Sequence, residues 1–131
     1  MEKSNRGYIM VQVSAANRAI PIEGANVLVA EASENGEHLV RVLKTDRSGK
    51  TDTIEVETPP AENSLIPEGE NRFSKFNIRV DYPGYYTVEL VNVPVFSGQK
   101  SIQSVSMIPL EENAERGKII TVTEEEPFEN E

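Results

Sequence analysis

Short runs of alternating apolar and polar positions recur along the chain. In the first run, Ile9, Val11 and Val13 fall on one side of an extended backbone. Alternation with a period of two predicts strands that bury one face. On this pattern we predict strands over residues 7–15, 25–32, 38–44, 53–58, 76–80, 85–91 and 101–108. Val93–Phe96 also has β character, and Pro94 within it predicts an edge position, because proline donates no hydrogen bond to a neighbouring strand.

Turn residues separate these runs. Asn35-Gly36 is a strong hairpin signal, and Asp81-Tyr82-Pro83-Gly84 predicts a second reversal. Thr45–Thr51 predicts a turn between two antiparallel strands, with Gly49 at a positive φ. The polar connection Pro59–Arg72 is too long for a hairpin and indicates a crossover between sheets. No long segment has helical periodicity, so we predict an all-β fold, a Greek-key β-sandwich of about seven strands.

One domain and one tail follow from length and charge. The chain has 131 residues, enough for a single core, and we place the sandwich at residues 1–110. Residues 111–131 hold eight Glu beside Arg116 and Lys118, so most of the net charge of −9 lies there. Such a composition predicts a flexible acidic tail or linker, with disorder as the default. Its apolar patch, Lys118–Val122, could instead add a strand to a sheet edge, in this chain or on a partner.

Composition also limits the compartments and the partners that can be expected for this chain. The chain contains no cysteine, which excludes disulfides and thiolate ligands. The net negative charge argues against nucleic acid as a partner, because binding nucleic acid requires clustered cationic side chains. No apolar run is long enough to span a membrane. Residues 1–6 lack the apolar segment of a signal peptide, so we predict that the chain is cytoplasmic as synthesised.

Little in the sequence indicates catalysis or metal binding. His38 is the only histidine, so neither a catalytic triad nor a histidine metal site is predicted. The motif Asp46-x-Ser48-Gly49 lacks the further acidic ligands of a calcium loop and is interpreted as turn chemistry. Glu55 and Glu57 share a strand face opposite Ile54 and Val56 and are interpreted as solvated. We therefore predict no catalytic, cofactor-binding or metal-binding residue.

Aromatic residues offer a candidate partner-binding surface. Tyr82, Tyr85 and Tyr86 surround Pro83-Gly84, and Phe96 follows in the same half of the chain. Tyrosine is rigid and amphipathic, which suits contacts with proteins and carbohydrates. The alternative is that half-buried tyrosines brace the turn.

Three segments resemble the carboxypeptidase regulatory-like superfamily, whose domains are transthyretin-like (prealbumin-like) sandwiches. They are Pro21-Ile22-Glu23-Gly24-Ala25-Asn26-Val27, then Leu43–Thr51 with its Thr-Asp-x-x-Gly turn, then Val80–Tyr86 with its Gly-Tyr step. The resemblance covers residues 7–110. Residues 57–60, 94–98 and 107–110 are most similar to signal-less versions associated with clostridial spore cortex-lytic and peptidoglycan-binding proteins. The resemblance thus implies a transthyretin/Cna-B-like sandwich and a spore-associated or cell-wall setting.

Two chemistries known in this family are not expected from the residues of this chain. Hydroxyisourate hydrolases use several histidines and a Tyr-Arg-Gly-Ser ending, whereas this chain has His38 alone and ends in Phe128-Glu129-Asn130-Glu131. The Lys–Asn isopeptide bond of Cna-B domains is not expected, because the first predicted strand lacks Lys and the last lacks Asn.

We expect a non-catalytic module that binds or positions a protein or peptidoglycan partner through residues 59–72, 82–86 and 93–98. The alternatives are an accessory or pro-domain of a peptidoglycan or cortex hydrolase and a surface adhesin-type structural domain. A third, an enzyme in its own right, would depend on His38.

Overall fold

The computed structural model describes residues 5–33, 36–58, 73–110 and 119–123, which form nine strands in two sheets. The strands are β1 (Asn5–Ala15), β2 (Ile20–Pro21), β3 (Asn26–Ser33), β4 (Gly36–Lys44), β5 (Ile54–Thr58), β6 (Phe73–Asp81), β7 (Thr87–Phe96), β8 (Lys100–Met107) and β9 (Ile119–Thr123). Among these residues no helix has the length and hydropathy that crossing a bilayer requires.

The smaller sheet is built around β1. On one side, β8 runs parallel to it from Tyr8↔Lys100 to Ala15↔Met107. Three segments pair in turn with the other edge of β1. β5 pairs antiparallel with the start of β1, residues 49–51 bond its middle, and β2 pairs with its end. This succession gives β1 backbone partners along both edges, which suits a central strand.

The larger sheet has the order β4-β3-β6-β7-β9. Its first three ladders are antiparallel, and β9 lies parallel to β7 from Thr87↔Ile119 to Val91↔Thr123. Residues 119–123 add a strand to this sheet within the same chain, which is the alternative that the sequence left open for the apolar patch Lys118–Val122. The rest of the tail, and Pro59–Arg72, lie outside the described residues.

The core lies between the two sheets and confirms the predicted all-β sandwich. Ile9, Val11 and Val13 of β1 are fully buried, as their alternation predicts. From the larger sheet come the inward residues of β3, β6 and β7, namely Val27, Val29, Phe76, Ile78, Val80, Val88, Leu90, Val93 and Val95. Glu55 and Glu57 point to solvent while Ile54 and Val56 are buried, as expected for a strand with one covered face.

Thr45–Thr51 is not a hairpin within one sheet, which corrects the sequence-based interpretation. It leads from β4 in the larger sheet to β5 in the smaller one. The buried Thr45 hydroxyl donates to the Ile22 carbonyl oxygen (2.6 Å) and accepts from the Ala25 N–H (2.9 Å). Gly49 has φ +80°, and a Cβ there would lie 2.4 Å from the Val13 carbonyl oxygen. The expected positive φ is thus confirmed, and the glycine also permits close contact with β1.

Val93–Phe96 is the second half of β7 rather than a separate edge segment. Val93 and Val95 are buried in the core, and this half pairs with β6 along Phe73–Phe76. The described β9 ladder ends at Val91. Pro94 therefore lies beyond that ladder, where its missing N–H removes no hydrogen bond to β9.

Candidate functional site

Two β-bulges lie at the same level of the larger sheet. In β4, Arg41 pairs with Val29 and Leu39 pairs with Ala30, so Val40 is an extra residue. In β7 the register also shifts by one residue, because Phe76 pairs with Val93 but Ile78 pairs with Leu90. Ala30 pairs with Asn77, which places both irregularities on one line across the sheet. Bulges bend a strand and increase its twist, so this line is where the sheet's outer face changes direction.

A shallow depression of about 370 Å³ lies on the outer face along this line. We call it the outer-face depression. Its lining residues are Leu28, Ala30, Glu37, Leu39, Asn77, Ile78, Arg79 and Glu89. Leu28 and Ala30 are only partly exposed, whereas the Leu39 residue is 63% exposed. Apolar side chains from β3 and β4 therefore lie beside polar and charged ones from β4, β6 and β7.

Asn77 connects three strands at the depression. Its Nδ2 donates a hydrogen bond to Glu37 Oε2 on β4, and its Oδ1 accepts one from the Asn92 N–H on β7 at 3.0 Å. Asn92 has φ +63°, a conformation that Asn tolerates better than most residues. The side-chain amide thus supplies the partner of a backbone N–H at the bulge and orients the Glu37 carboxylate.

An ion pair forms the other wall. Arg79 Nη2 lies 3.6 Å from Glu89 Oε2, with side-chain exposures of 46% and 25%. Because both groups remain partly accessible, they can still donate to and accept from a bound molecule. The depression combines an apolar floor with fixed donors and acceptors, an arrangement suited to binding.

The four aromatic residues considered from the sequence do not share one surface. Tyr82 and Tyr85 are close, with ring centroids 5.9 Å apart, and both are half-buried against the core. The Tyr85 N–H donates to the Tyr82 carbonyl oxygen at 3.1 Å, which closes the predicted turn. Tyr86 is only 9% exposed. Phe96 lies at the far end of β7, about 30 Å along an extended strand from Tyr86.

The other residues with functional chemistry are dispersed. His38 is exposed on β4 opposite Glu31. Asp46 Oδ1 accepts from the Ser48 N–H (2.8 Å) and the Lys50 N–H (3.0 Å). The hydrogen bond from the Lys50 backbone, followed by that from Ser48, lowers the pKa of Asp46 below its usual 3.8. Within the described residues, no three His, Cys, Asp or Glu side chains gather where they could hold a metal ion.

Sequence reasoning did not identify the outer-face depression. Its residues come from four strands, and the two bulges that align them depend on pairing between distant segments. One signal was present in the chain: Leu39-Val40 and Val42-Leu43 make the third predicted strand apolar on both faces. A strand of that kind is either buried on both sides or exposes an apolar face.

Comparisons with known sequences identify no family for this chain. No protein-family model matches this sequence. No curated protein matches it either.

Solved structures do match. The Acinetobacter radioresistens catechol 1,2-dioxygenase has a TM-score of 0.55 at 20% identity over 93% of this chain and 58% of that one. The catechol 1,2-dioxygenase of Acinetobacter sp. ADP1, in a mercury-inhibited structure, gives 0.56 at 13% identity over 92% and 59%. The Bacillus anthracis TIE protein gives 0.50 at 10% identity over 81% and 17%.

These likenesses define the class of protein as a β-sandwich and go no further. The chain spans less than two thirds of the length of each of these three structures. At 20% identity or less, the similarity shows a shared fold. Two of these three neighbours are catechol 1,2-dioxygenases, and a shared fold does not by itself imply a shared function.

Proposed function

We propose that this chain is a non-catalytic β-sandwich module that binds or positions a partner through the outer-face depression. The observation that carries the proposal is the composition of that depression. Leu28, Ala30 and Leu39 present apolar surface beside the Glu37–Asn77 and Arg79–Glu89 pairs. Binding sites commonly combine apolar contact with a few oriented polar groups that set specificity.

The partner class that we propose is peptidoglycan. The resemblance of residues 57–60, 94–98 and 107–110 to spore and cell-wall domains motivates this choice, together with a spore-associated location. The hydrogen-bonding groups of the depression also suit peptidoglycan. Arg79 and Asn77 offer N–H donors and Glu37 and Glu89 offer carboxylate acceptors, which are complementary to sugar hydroxyls and peptide amides. A shallow site on an open sheet face suits a polymer that crosses it.

Titration with purified muropeptides, followed by NMR of the isotope-labelled protein, tests the proposal. We expect the largest chemical-shift changes at the backbone amides of Leu28, Asn77 and Arg79. Arg79→Ala should weaken binding by at least about tenfold, since it removes a charge-assisted donor.

The chain offers a matched control for this variant. Arg6 lies in the other sheet, pairs with Glu55 at 3.0 Å, and has a side-chain exposure of 43% against 46% for Arg79. Arg6→Ala should leave binding unchanged. No shift changes at the depression, or equal losses from the two variants, would overturn the proposal.

A further inference from the structure

β4 combines exposed apolar side chains with an outer edge that has no partner strand among the described residues. It is the terminal strand of the larger sheet and, within the described residues, pairs with β3 alone. Leu39, Val40 and Val42 are 63%, 38% and 57% exposed. An edge strand presents backbone N–H and C=O groups to any strand that can pair with them, and apolar side chains favour such pairing.

The register with β3 assigns the β4 side chains to two faces. Leu43 pairs with Val27 and Arg41 with Val29, both of which point into the core, so Leu43 and Arg41 lie on the inner face. Val42 and Lys44 therefore lie on the outer face. Leu39 pairs with Ala30 and Glu37 with Ala32, which are on the outer face too. The bulge at Val40 is what returns Leu39 and Glu37 to the outer face.

We propose that two copies of this chain associate through their β4 strands, paired antiparallel about a twofold axis between Val40 and Arg41. In this register Leu39 lies opposite Val42 of the second copy, and Glu37 lies opposite Lys44 of the second copy. Each pair joins residues of the same face, and each occurs twice because the interface is isologous. Apolar pairs and opposite charges that face each other directly stabilise neighbouring strands.

Neighbouring registers lack this complementarity. A shift of one residue opposes Leu39, on the outer face, to Leu43, on the inner face, which strand geometry does not allow. A shift of two residues opposes Glu37 to the apolar Val42 and His38 to Arg41. The register centred between Val40 and Arg41 is therefore the self-complementary one.

The association would join two five-stranded sheets edge to edge and bring two outer-face depressions onto one continuous face. It goes beyond the proposed function and does not depend on it, because it needs no partner other than this chain.

Sedimentation equilibrium from about 10 µM to about 1 mM, where small interfaces associate, measures it directly. We expect the mass to rise toward twice that of the monomer. A monomer throughout this range overturns the proposal.

Charge reversal tests the register. Lys44→Glu opposes Glu37 to a like charge at two places and should weaken association about tenfold. The double variant Lys44→Glu/Glu37→Lys should restore it to within about threefold, because opposite charges again face each other. Lys100→Glu, an equal change on an exposed lysine of β8, should have no effect. Failure of the double variant to recover overturns the register.

Cross-linking provides an independent test, because the chain has no cysteine of its own. Residues directly opposite in an antiparallel pair have Cα atoms about 4.5–5.5 Å apart, within disulfide range. Leu39→Cys/Val42→Cys should therefore give a disulfide-linked dimer on mild oxidation, with the 39–42 linkage identified by mass spectrometry. Leu39→Cys alone should not, because the two positions 39 would lie about 10 Å apart. Linkage of the single variant in equal yield would contradict the pairing.

Discussion

The Asn77 side-chain oxygen accepts a hydrogen bond from the Asn92 backbone N–H at 3.0 Å. This contact joins a regular strand to the bulged residue of its neighbour, and it occurs at the edge of the outer-face depression. The same side chain donates to Glu37 on β4. A single amide thus helps to hold the bulge and one wall of the candidate site.

Asn77→Ala should lower the free energy of unfolding by about 1–2 kcal/mol, because it leaves the Asn92 N–H without this acceptor. Urea denaturation measures the change. Asn26→Ala is the matched control, since Asn26 bonds the Asp81 carboxylate (3.3 Å) rather than a backbone N–H. We expect a smaller loss for the control. An equal loss would show that the bulge contact contributes nothing specific.

Thr45→Val should destabilise the protein by about 1–3 kcal/mol, because a methyl group replaces a hydroxyl that bonds both the Ile22 carbonyl and the Ala25 N–H. Thr53→Val makes the same substitution at an exposed position and should change stability by less than about 0.5 kcal/mol. Thermal and urea unfolding of both variants would check this. Similar values for the two would contradict the role assigned to the Thr45 hydroxyl.

Gly49→Ala should cost more than Gly84→Ala. Both glycines have positive φ, +80° and +90°, so an alanine at either position costs roughly 1–2 kcal/mol in backbone energy. Only Gly49 faces a close neighbour, the Val13 carbonyl oxygen, whereas the space at Gly84 is open. The further cost at Gly49, about 1–3 kcal/mol, comes from displacing β1. Equal destabilisation in urea would mean that backbone conformation alone matters at this crossover.

The contribution of Asp46 to stability should depend on pH. Its pKa is lowered in the folded protein, chiefly by the Lys50 N–H, so the folded state favours the charged carboxylate. This stabilisation is complete above the ordinary pKa of 3.8 and is lost as pH falls through the lower folded value.

Asp46→Asn provides the comparison, because its side chain keeps an acceptor oxygen but does not titrate. The stability difference between wild type and variant should be constant above 3.8 and should shift against the wild type below it. Urea unfolding of both proteins across acidic pH measures this difference. A difference that stays constant well below 3.8 would argue that the Asp46 hydrogen bonds do not favour the ionised form.

Much of the fold could be predicted because its signals are local. The alternation of Ile9, Val11 and Val13 identified the inward face of β1, and Asn35-Gly36 marked the β3–β4 hairpin, which is confirmed. The alternation could not show which apolar residues stay exposed. Leu39 and Val42 are 63% and 57% exposed, because both lie on the outer face of β4, the terminal strand of its sheet.

The candidate site was less predictable than the fold. The sequence drew attention to Tyr82, Tyr85, Tyr86 and Phe96, because aromatic residues are chemically conspicuous. Three of these support the turn before β7 and the core, and Phe96 lies at the other end of that strand. The depression instead depends on Asn77 and Arg79 of β6. Asn77 bonds Glu37, which is distant in the chain, and Arg79 pairs with Glu89, which lies on the neighbouring strand β7.

The sequence by itself determined the all-β class, the positions of most strands and turns, and which side chains enter the core. These properties follow from alternation and turn chemistry within a few residues. Only the tertiary structure decided that Thr45–Thr51 crosses between sheets, that β9 joins β7, and that two bulges align across Asn77. Each of these features depends on pairing between segments far apart in the chain. The stability of such pairing depends on all the strands of the sheets together and not on residues near each other in sequence.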